Sequence, residues 1–349
     1  MMNSTFIRTL PSVSKILKEI PLSDISHQKI LQDRQELKNI ISGKDNRYIF
    51  IIGPCSAWPR EAVFEYADKL SKLNKKLEKY VKLVMRVYIQ KPRSSHGWLG
   101  SINQPDIFSK PNIEAGIKYS RSMMIKIIEK GIPIADEALY TQTIDYFLDL
   151  PSWYAIGARS SEDQEHRLLA SVLDMPVGLK NPTSGSISIA ANSVTVAQHP
   201  HVAVFNSKEI HTQGNHYAHL VLRGGQNGPN YAVQNLEEAK IEFQKHQILH
   251  PSIVIDASHD NCIIKNKKDH YHQIQIILDT VKMLKKRKDL RALVKGFMLE
   301  SFIKNGNQTI DLNQPEKIDF DGLSITDPCL GWEETELLLF ELVRIISDD

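Results

Sequence analysis

Residues 48–90 read YIFIIGPCSAWPREAVFEYADKLSKLNKKLEKYVKLVMRVYIQ and hold one complete strand–helix–strand unit. YIFII is a short apolar run of β-branched and aromatic residues, closed by Gly53-Pro54 and too short for a helix. EAVFEYADKLSKLNKKLEKY then turns to a helical pattern, and KLVMRVYIQ returns to strand character. Apolar runs joined by a long helix point to parallel neighbours in a sheet covered on both faces. The alternation continues down the chain. IPIADE, WYAIGAR, MPVGLKN, HVAVFN, HLVLRGG, SIVIDASH and LVKGFMLE read as further strands, and NIEAGIKYSRSMMIKIIEK and QIQIILDTVKMLKK as further helices.

The expected fold is α/β, a (β/α)8 barrel over residues 47–349. A doubly wound open sheet competes, but no Gly-x-Gly-x-x-Gly follows the first strand. Nine strand-like runs are one more than the barrel needs. NSKEIHTQGNHYA, between HVAVF and HLVLRGG, has no helical period, so one of those two runs is assigned to an accessory β-hairpin. WEETELLLFELVRIIS reads as the closing helix. Residues 1–46 form a helical N-terminal extension in which HQKILQDRQELKNIIS places Ile30, Leu31, Leu37, Ile40 and Ile41 roughly on one face. Asp24 or Ser26 is its candidate cap and Gly43 its stop. The extension reads either as a cover for one barrel end or as an arm for assembly or regulation.

Composition narrows the functional classes. The hydrophobic fraction is 42%, the charged fraction 24% and the net charge +2, which gives no reason to expect nucleic acid or an anionic membrane as partner. The longest apolar runs fall well short of a membrane span. Three cysteines without framework spacing, and no secretory signal, predict a cytoplasmic protein.

Four apolar runs end in residues that bind metals: Cys55 in IIGPCS, His259 in IDASHD, Glu300 in GFMLES and Asp327 in SITDPC. Each has an ordinary reading alone, as a buried cysteine, a loop histidine or a surface carboxylate. A barrel gathers strand ends around one rim and would bring them together. One thiolate, one imidazole and two carboxylates suit Mn, Fe, Co or Zn better than Ca or Mg. Cys262 and Cys329 do not end apolar runs and are read as non-ligands, and the irregularly spaced His211, His216 and His219 as core or solvated groups. Basic residues crowd the same strand ends: Arg86, Lys91, Arg93, Arg159, Lys180 and Arg223, with Asp136-Glu137 ending the third strand. A divalent ion with three anionic ligands already carries a formal charge near −1. The cations therefore answer to something else, and phosphate and carboxylate groups are the natural candidates.

These residues in this order resemble 3-deoxy-D-arabino-heptulosonate 7-phosphate (DAHP) synthases of the bacterial type I class. The blocks that carry the resemblance are IIGPCS, VMRVYIQKPRSS-x-GW, AIGARSSEDQEHR, PVGLKN, LRGG…PNY, IDASH, MLES and SITDPCLGWEET. The resemblance implies condensation of phosphoenolpyruvate with erythrose 4-phosphate, opening the shikimate route to aromatic amino acids. It implies metal ligation by Cys55, His259, Glu300 and Asp327. Arg86, Arg159, Lys180 and Arg223 would hold phosphoenolpyruvate, with Glu137 in the same pocket. Lys91 would stand between the substrates as proton donor, and Arg93 and Ser94 would grip the aldose phosphate. A homodimer or homotetramer and an aromatic amino acid effector are further expectations of the family.

The chain also departs from the common pattern. Ser94 stands where Thr is usual, Leu99 for Lys, Asp136 for Gly, and Pro182 and Ser184 for Gly and Asp, while Ala257 and Asp260 flank the Ser-His pair. Tyr140, Ile144-Asp145 and Asp174 differ in the feedback region. The alternatives are a sibling synthase using another aldose phosphate, a metal-dependent phosphohydrolase, and a catalytically inactive regulatory barrel. The retained Lys91-Pro92-Arg93 argues against an arabinose 5-phosphate enzyme, the many basic residues against a hydrolase of one substrate, and the four ligands against an inactive barrel.

Overall fold

The computed structural model describes residues 3–93 and 97–347. Eight parallel strands close into a barrel in the order β1-β8-β7-β6-β5-β4-β3-β2. They are β1 Tyr48–Gly53, β2 Val81–Arg86, β3 Ile134–Glu137, β4 Trp153–Ile156, β5 Val177–Lys180, β6 Ala218–Leu222, β7 Ile253–Asp256 and β8 Val294–Glu300. The alternating side chains of each strand divide between two cores. Ile49, Ile51, Val84, Ala135, Trp153, Ala155, Val221, Val254 and Met298 fill the barrel interior. Phe50, Ile52, Leu83, Met85, Ile134, Leu220 and Leu299 face the outer helices. The β3–β4 crossover is an exception, with a single 3₁₀ turn over Thr141–Tyr146 in place of a helix.

The surplus strand is HVAVF. Val202–Phe205 pairs antiparallel with Lys208–His211 outside the barrel, turning through Asn206 and Ser207, both at positive φ. Its valines point to solvent, with Val202 69% and Val204 73% exposed, whereas every residue of β6 is buried. Burial on both faces is what separates a barrel strand from a hairpin strand, and short apolar runs look alike in sequence.

Two helices precede the barrel, α1 Val13–Glu19 and α2 Asp24–Ile41. Ser23, rather than Asp24 or Ser26, caps α2, its hydroxyl accepting from the Ser26 amide. Ile41 is the last residue of α2, and Gly43 (φ 77°) takes the left-handed conformation that lets the chain turn away. Leu37, Ile40 and Ile41 pack into the interior cluster, so α2 plugs the end of the barrel where the strands begin. Beside this plug, Lys82 of β2 is buried and its ammonium donates to Asp33 (2.6 Å) and Glu36 (3.0 Å) of α2, a pairing that a buried lysine requires. No helix among the described residues is long and apolar enough to cross a membrane.

His219 of β6 belongs to the same interior. Its Nε2 accepts from the Trp153 indole (3.2 Å), and its Nδ1 meets the Tyr217 carbonyl at 2.9 Å, which fixes a neutral tautomer. Burial pushes its pKa down to about 4 from 6.5. Below pH 6.5 the unfolded chain takes up a proton that the folded barrel refuses, so stability falls as pH drops toward 4. At pH 5 the loss from this one group is about 2 kcal/mol. Denaturant unfolding at pH 7 and pH 5 is expected to show His219→Gln losing about that much less than the parent.

Candidate active site

The last residues of five strands, Arg86, Glu137, Lys180, Asp256 and Glu300, lie at the C-terminal rim, with Arg223 one residue beyond β6 and Cys55 two beyond β1. Arg86, Glu137, Lys180, Arg223 and Cys55 line a cavity of about 360 Å³ whose wall also includes Lys91, Arg93, Arg159, His259 and Asp327. Glu300 is 1% exposed and is tied to that wall through Arg86 and His259. Every site residue expected from sequence is thus brought to one mouth, apart from Ser94, which lies outside the described residues.

Cys55, Glu300 and Asp327 each offer a ligand atom, all within 4.8 Å of one another. The His259 Nε2 stands 3.9 Å from a Glu300 oxygen, beside this trio. The His259 Nδ1 is engaged by Asp256 (2.9 Å) and the Ser258 hydroxyl (2.6 Å), which turns Nε2 toward the carboxylates. A carboxylate behind a histidine is the usual support for a metal-binding imidazole. Burial, with Glu300 and Asp327 adding to it, pushes the Cys55 thiol above its ordinary pKa. The group therefore resists ionisation by itself, and a divalent cation reverses that balance. One sulfur, two carboxylates and a nearby imidazole fit a transition ion.

Opposite this acidic centre stands a basic wall. Arg86 donates to Glu300 (3.1 Å) and lies 4.1 Å over the Tyr88 ring, while its buried Nε and Nη1 have no hydrogen-bond partner among the described residues. The Nε of Arg223 is likewise buried and unpartnered, and its Nη1 is held by Asp260. Buried guanidinium donors left over at a cavity wall are places for an anion to bind. Lys180 donates to Asp256 (2.9 Å). Gly157 leaves room for the Glu137 carboxylate where it stands, since a Cβ there would lie 2.2 Å from its Oε1. Lys91 bridges the two halves. Its Nζ donates to the Cys55 carbonyl (2.7 Å) and lies 3.1 Å from the Cys55 sulfur. Burial opposes its charge, but Cys55 and Glu300 outweigh it and raise the pKa, so Lys91 remains an ammonium.

Three neighbours were not singled out from sequence. Asp256 ends an apolar run as the expected ligands do, and that position was its available signal. Lys268, which pairs with Asp327, sits in a two-residue hairpin strand with no pattern to mark it. Tyr88 is hidden in an apolar run. Cys329 lies behind Cys55, its sulfur accepting from the Cys55 amide (3.4 Å), and neither it nor Cys262 joins the ligand group.

The fold and this mouth define the class: a (β/α)8 barrel with a functional site built at the C-terminal rim. The DAHP synthetase I family matches residues 23–340, and the chain belongs to that family. It is 37% identical to the Tyr-sensitive phospho-2-dehydro-3-deoxyheptonate aldolase of Salmonella typhimurium, over 97% of this chain and 94% of that one. It is 34% identical to the Trp-sensitive enzyme of Escherichia coli K12, over 98% and 96%. The structure of the phospho-2-dehydro-3-deoxyheptonate aldolase of Francisella tularensis superposes with a TM-score of 0.91 at 35% identity, covering 99% of both chains.

Asp256 provides a direct test of the centre. Asp256→Asn is expected to weaken Mn affinity about 10–100-fold, measured by competition with a chromogenic chelator, with the far-ultraviolet spectrum unchanged. Unaltered affinity would count against His259 as a ligand.

Proposed function

We propose that this protein condenses phosphoenolpyruvate with D-erythrose 4-phosphate and water to give DAHP and inorganic phosphate. The observation that carries this reading is Lys91, whose ammonium touches the Cys55 sulfur between a cation-binding centre and a wall of arginines. The unpartnered donors of Arg86 and Arg223, with Arg159 and Lys180, suit the phosphate and carboxylate of phosphoenolpyruvate. Arg93, on the loop beyond Lys91, suits the aldose phosphate, with Ser94 as its partner. A divalent ion held by Cys55, His259, Glu300 and Asp327 supplies Lewis-acid polarisation of a carbonyl.

The protein's own groups then account for the remaining steps. Gripping both substrates by their anions turns a bimolecular attack into a near-unimolecular one, worth up to about 7–11 kcal/mol. C3 of phosphoenolpyruvate attacks the aldehyde carbon, forming the C–C bond and leaving positive character at C2. Lys91, an ammonium beside the reacting carbonyl, delivers a proton to the developing alkoxide. Water adds at C2, its proton passing to Glu137 or Asp327, and phosphate departs with cleavage of the C2–O bond.

The assembly reading is a homodimer or homotetramer. Phe6 and Ile7 of the N-terminal arm are 78% and 82% exposed, and Val202 and Val204 of the hairpin form a second apolar face. Two such patches on one chain suit contact between copies. The effector class is an aromatic amino acid, and because Tyr140, Ile144, Asp145 and Asp174 differ from the family's usual residues in the feedback region, its identity is not carried over from the relatives. Three buried thiols, none in a disulfide, support a cytoplasmic setting.

The deciding experiment follows phosphate release with phosphoenolpyruvate, Mn and either erythrose 4-phosphate or arabinose 5-phosphate, with and without chelator. Turnover is expected with erythrose 4-phosphate alone and is lost on chelation. Absence of product with added Mn overturns the proposal, and turnover with the five-carbon aldose moves the chain to a sibling activity. Lys91→Met is expected to lower kcat about 10²–10⁴-fold while Mn affinity stays close to the parent's. In sedimentation, Val204→Lys is expected to shift the protein toward smaller species.

A further inference from the structure

A second, small apolar core lies outside the barrel, above the mouth. Trp58, Ile107 and Ile318 are buried in it, and Trp98, Ile310 and Ile325 pack against them. The Phe320 ring lies 5.5 Å from Trp58 and 6.3 Å from Phe108. These residues come from three loops: the one after β1, which carries Cys55; the one after β2, which carries Lys91 and Arg93; and the one after β8, which carries Asp327. Polar contacts fasten the same loops. Ser56 and Thr326 share a hydroxyl bond of 2.6 Å, and the Ser101 hydroxyl donates to the Ala57 carbonyl (3.3 Å).

The core reaches Arg93 through Trp98. The Trp98 carbonyl accepts from Arg93 Nε (2.9 Å), which orients the guanidinium. The Trp98 indole is itself fixed, donating to the Gln104 carbonyl (2.9 Å), while the Gln104 amide donates to the carbonyls of Ile107 (3.2 Å) and Ser109 (2.7 Å). Arg93 is exposed and lies beyond the end of β2, two residues past the Lys91 that is tied to Cys55, so the setting of its guanidinium comes from the loop rather than from a strand. The apolar contacts of Trp98 supply that setting.

We infer that this aromatic core is a clamp that fixes the distance between the aldose-phosphate arginine and the cation centre, with Trp98, Phe320 and Phe108 as positioning residues. The inference rests on the activity proposed above, in which Arg93 grips the phosphate of erythrose 4-phosphate. Its signature is selective. Loosening the clamp weakens the grip on the aldose phosphate and leaves phosphoenolpyruvate, held by strand-end residues, unaffected.

Phe320 and Phe108 are 41% and 50% exposed, so trimming them leaves the barrel core intact. Phe320→Ala is expected to raise KM for erythrose 4-phosphate about three- to tenfold, with KM for phosphoenolpyruvate within about twofold of the parent. Phe320→Leu is expected to recover most of the loss, and Phe108→Ala to repeat it in weaker form. Calorimetric titration of erythrose 4-phosphate into Mn-loaded protein is expected to show the same loss of affinity without turnover. An unchanged erythrose 4-phosphate KM in both alanine variants overturns the clamp, and so does a parallel rise in both KM values or a failure of leucine to rescue. Absence of turnover in the parent protein overturns instead the activity on which the clamp rests.

Discussion

The mouth of this barrel depends on a belt of buried polar groups in which two carboxylates are tied to an arginine, a lysine and one imidazole. Arg86 of β2 binds Glu300 of β8, and Glu300 lies 3.9 Å from His259. His259 binds Asp256 of β7, and Asp256 binds Lys180 of β5. Four of the five belt residues are strand ends, and Arg86, Glu300, Asp256 and Lys180 are all nearly inaccessible to water. A buried charge left alone costs several kcal/mol, whereas here Arg86 pairs with Glu300 and Lys180 with Asp256, two pairs that parallel closure of the barrel brings together. Asp256 is held well below the usual carboxylate range: burial works against it, and His259 and Lys180 prevail. The belt lets a low-dielectric site keep ionised groups in fixed directions, which is the condition for electrostatic work on a substrate.

The two ends of the barrel handle charge differently. At the bottom, Lys82 is met by Asp33 and Glu36 from α2, and the apolar face of the same helix seals the interior. Those charges are matched within the protein. At the top, Arg86 and Arg223 keep buried donors that no group among the described residues answers. The paired Lys82 at one end and the left-over guanidinium donors at the other give the molecule a structural end and a chemical end, and the second is where a TIM-type barrel builds its sites.

The barrel was legible because strands buried on both faces read as short, mainly apolar runs, and most of the helices between them keep a clear period. The hairpin was harder. HVAVF and HLVL share composition, and only burial distinguishes Val202 from Leu220. The 3₁₀ crossover at Thr141–Tyr146 has too few residues for a period. Among site residues, Cys55, Glu300, Arg86 and Lys180 were legible because a charge or thiol that terminates an apolar run has little structural reason to be there. Lys268 was not, since its pairing with Asp327 joins two loops 59 residues apart and leaves no local pattern. Trp98 and Phe320 were hidden for the same reason: a core assembled from three loops has no periodicity.

The two acids near the mouth that depart from the family pattern show how it retains its electrostatic character. Asp136 brings a carboxyl next to Glu137, but its side chain is buried and its Oδ1 accepts from the backbone amides of Glu137 (2.8 Å) and Ile89 (3.4 Å). Burial raises its pKa well above the carboxylate range, and these amides only partly oppose the shift. It therefore resists adding negative charge to this side of the mouth. Asp260 does stay on the wall, where it occupies Nη1 of Arg223 and leaves Nε unanswered. One extra acid is quieted by burial and the other by an arginine that still has a donor to offer. The excess of cations at the mouth survives both substitutions, and that excess is what two phosphorylated substrates require.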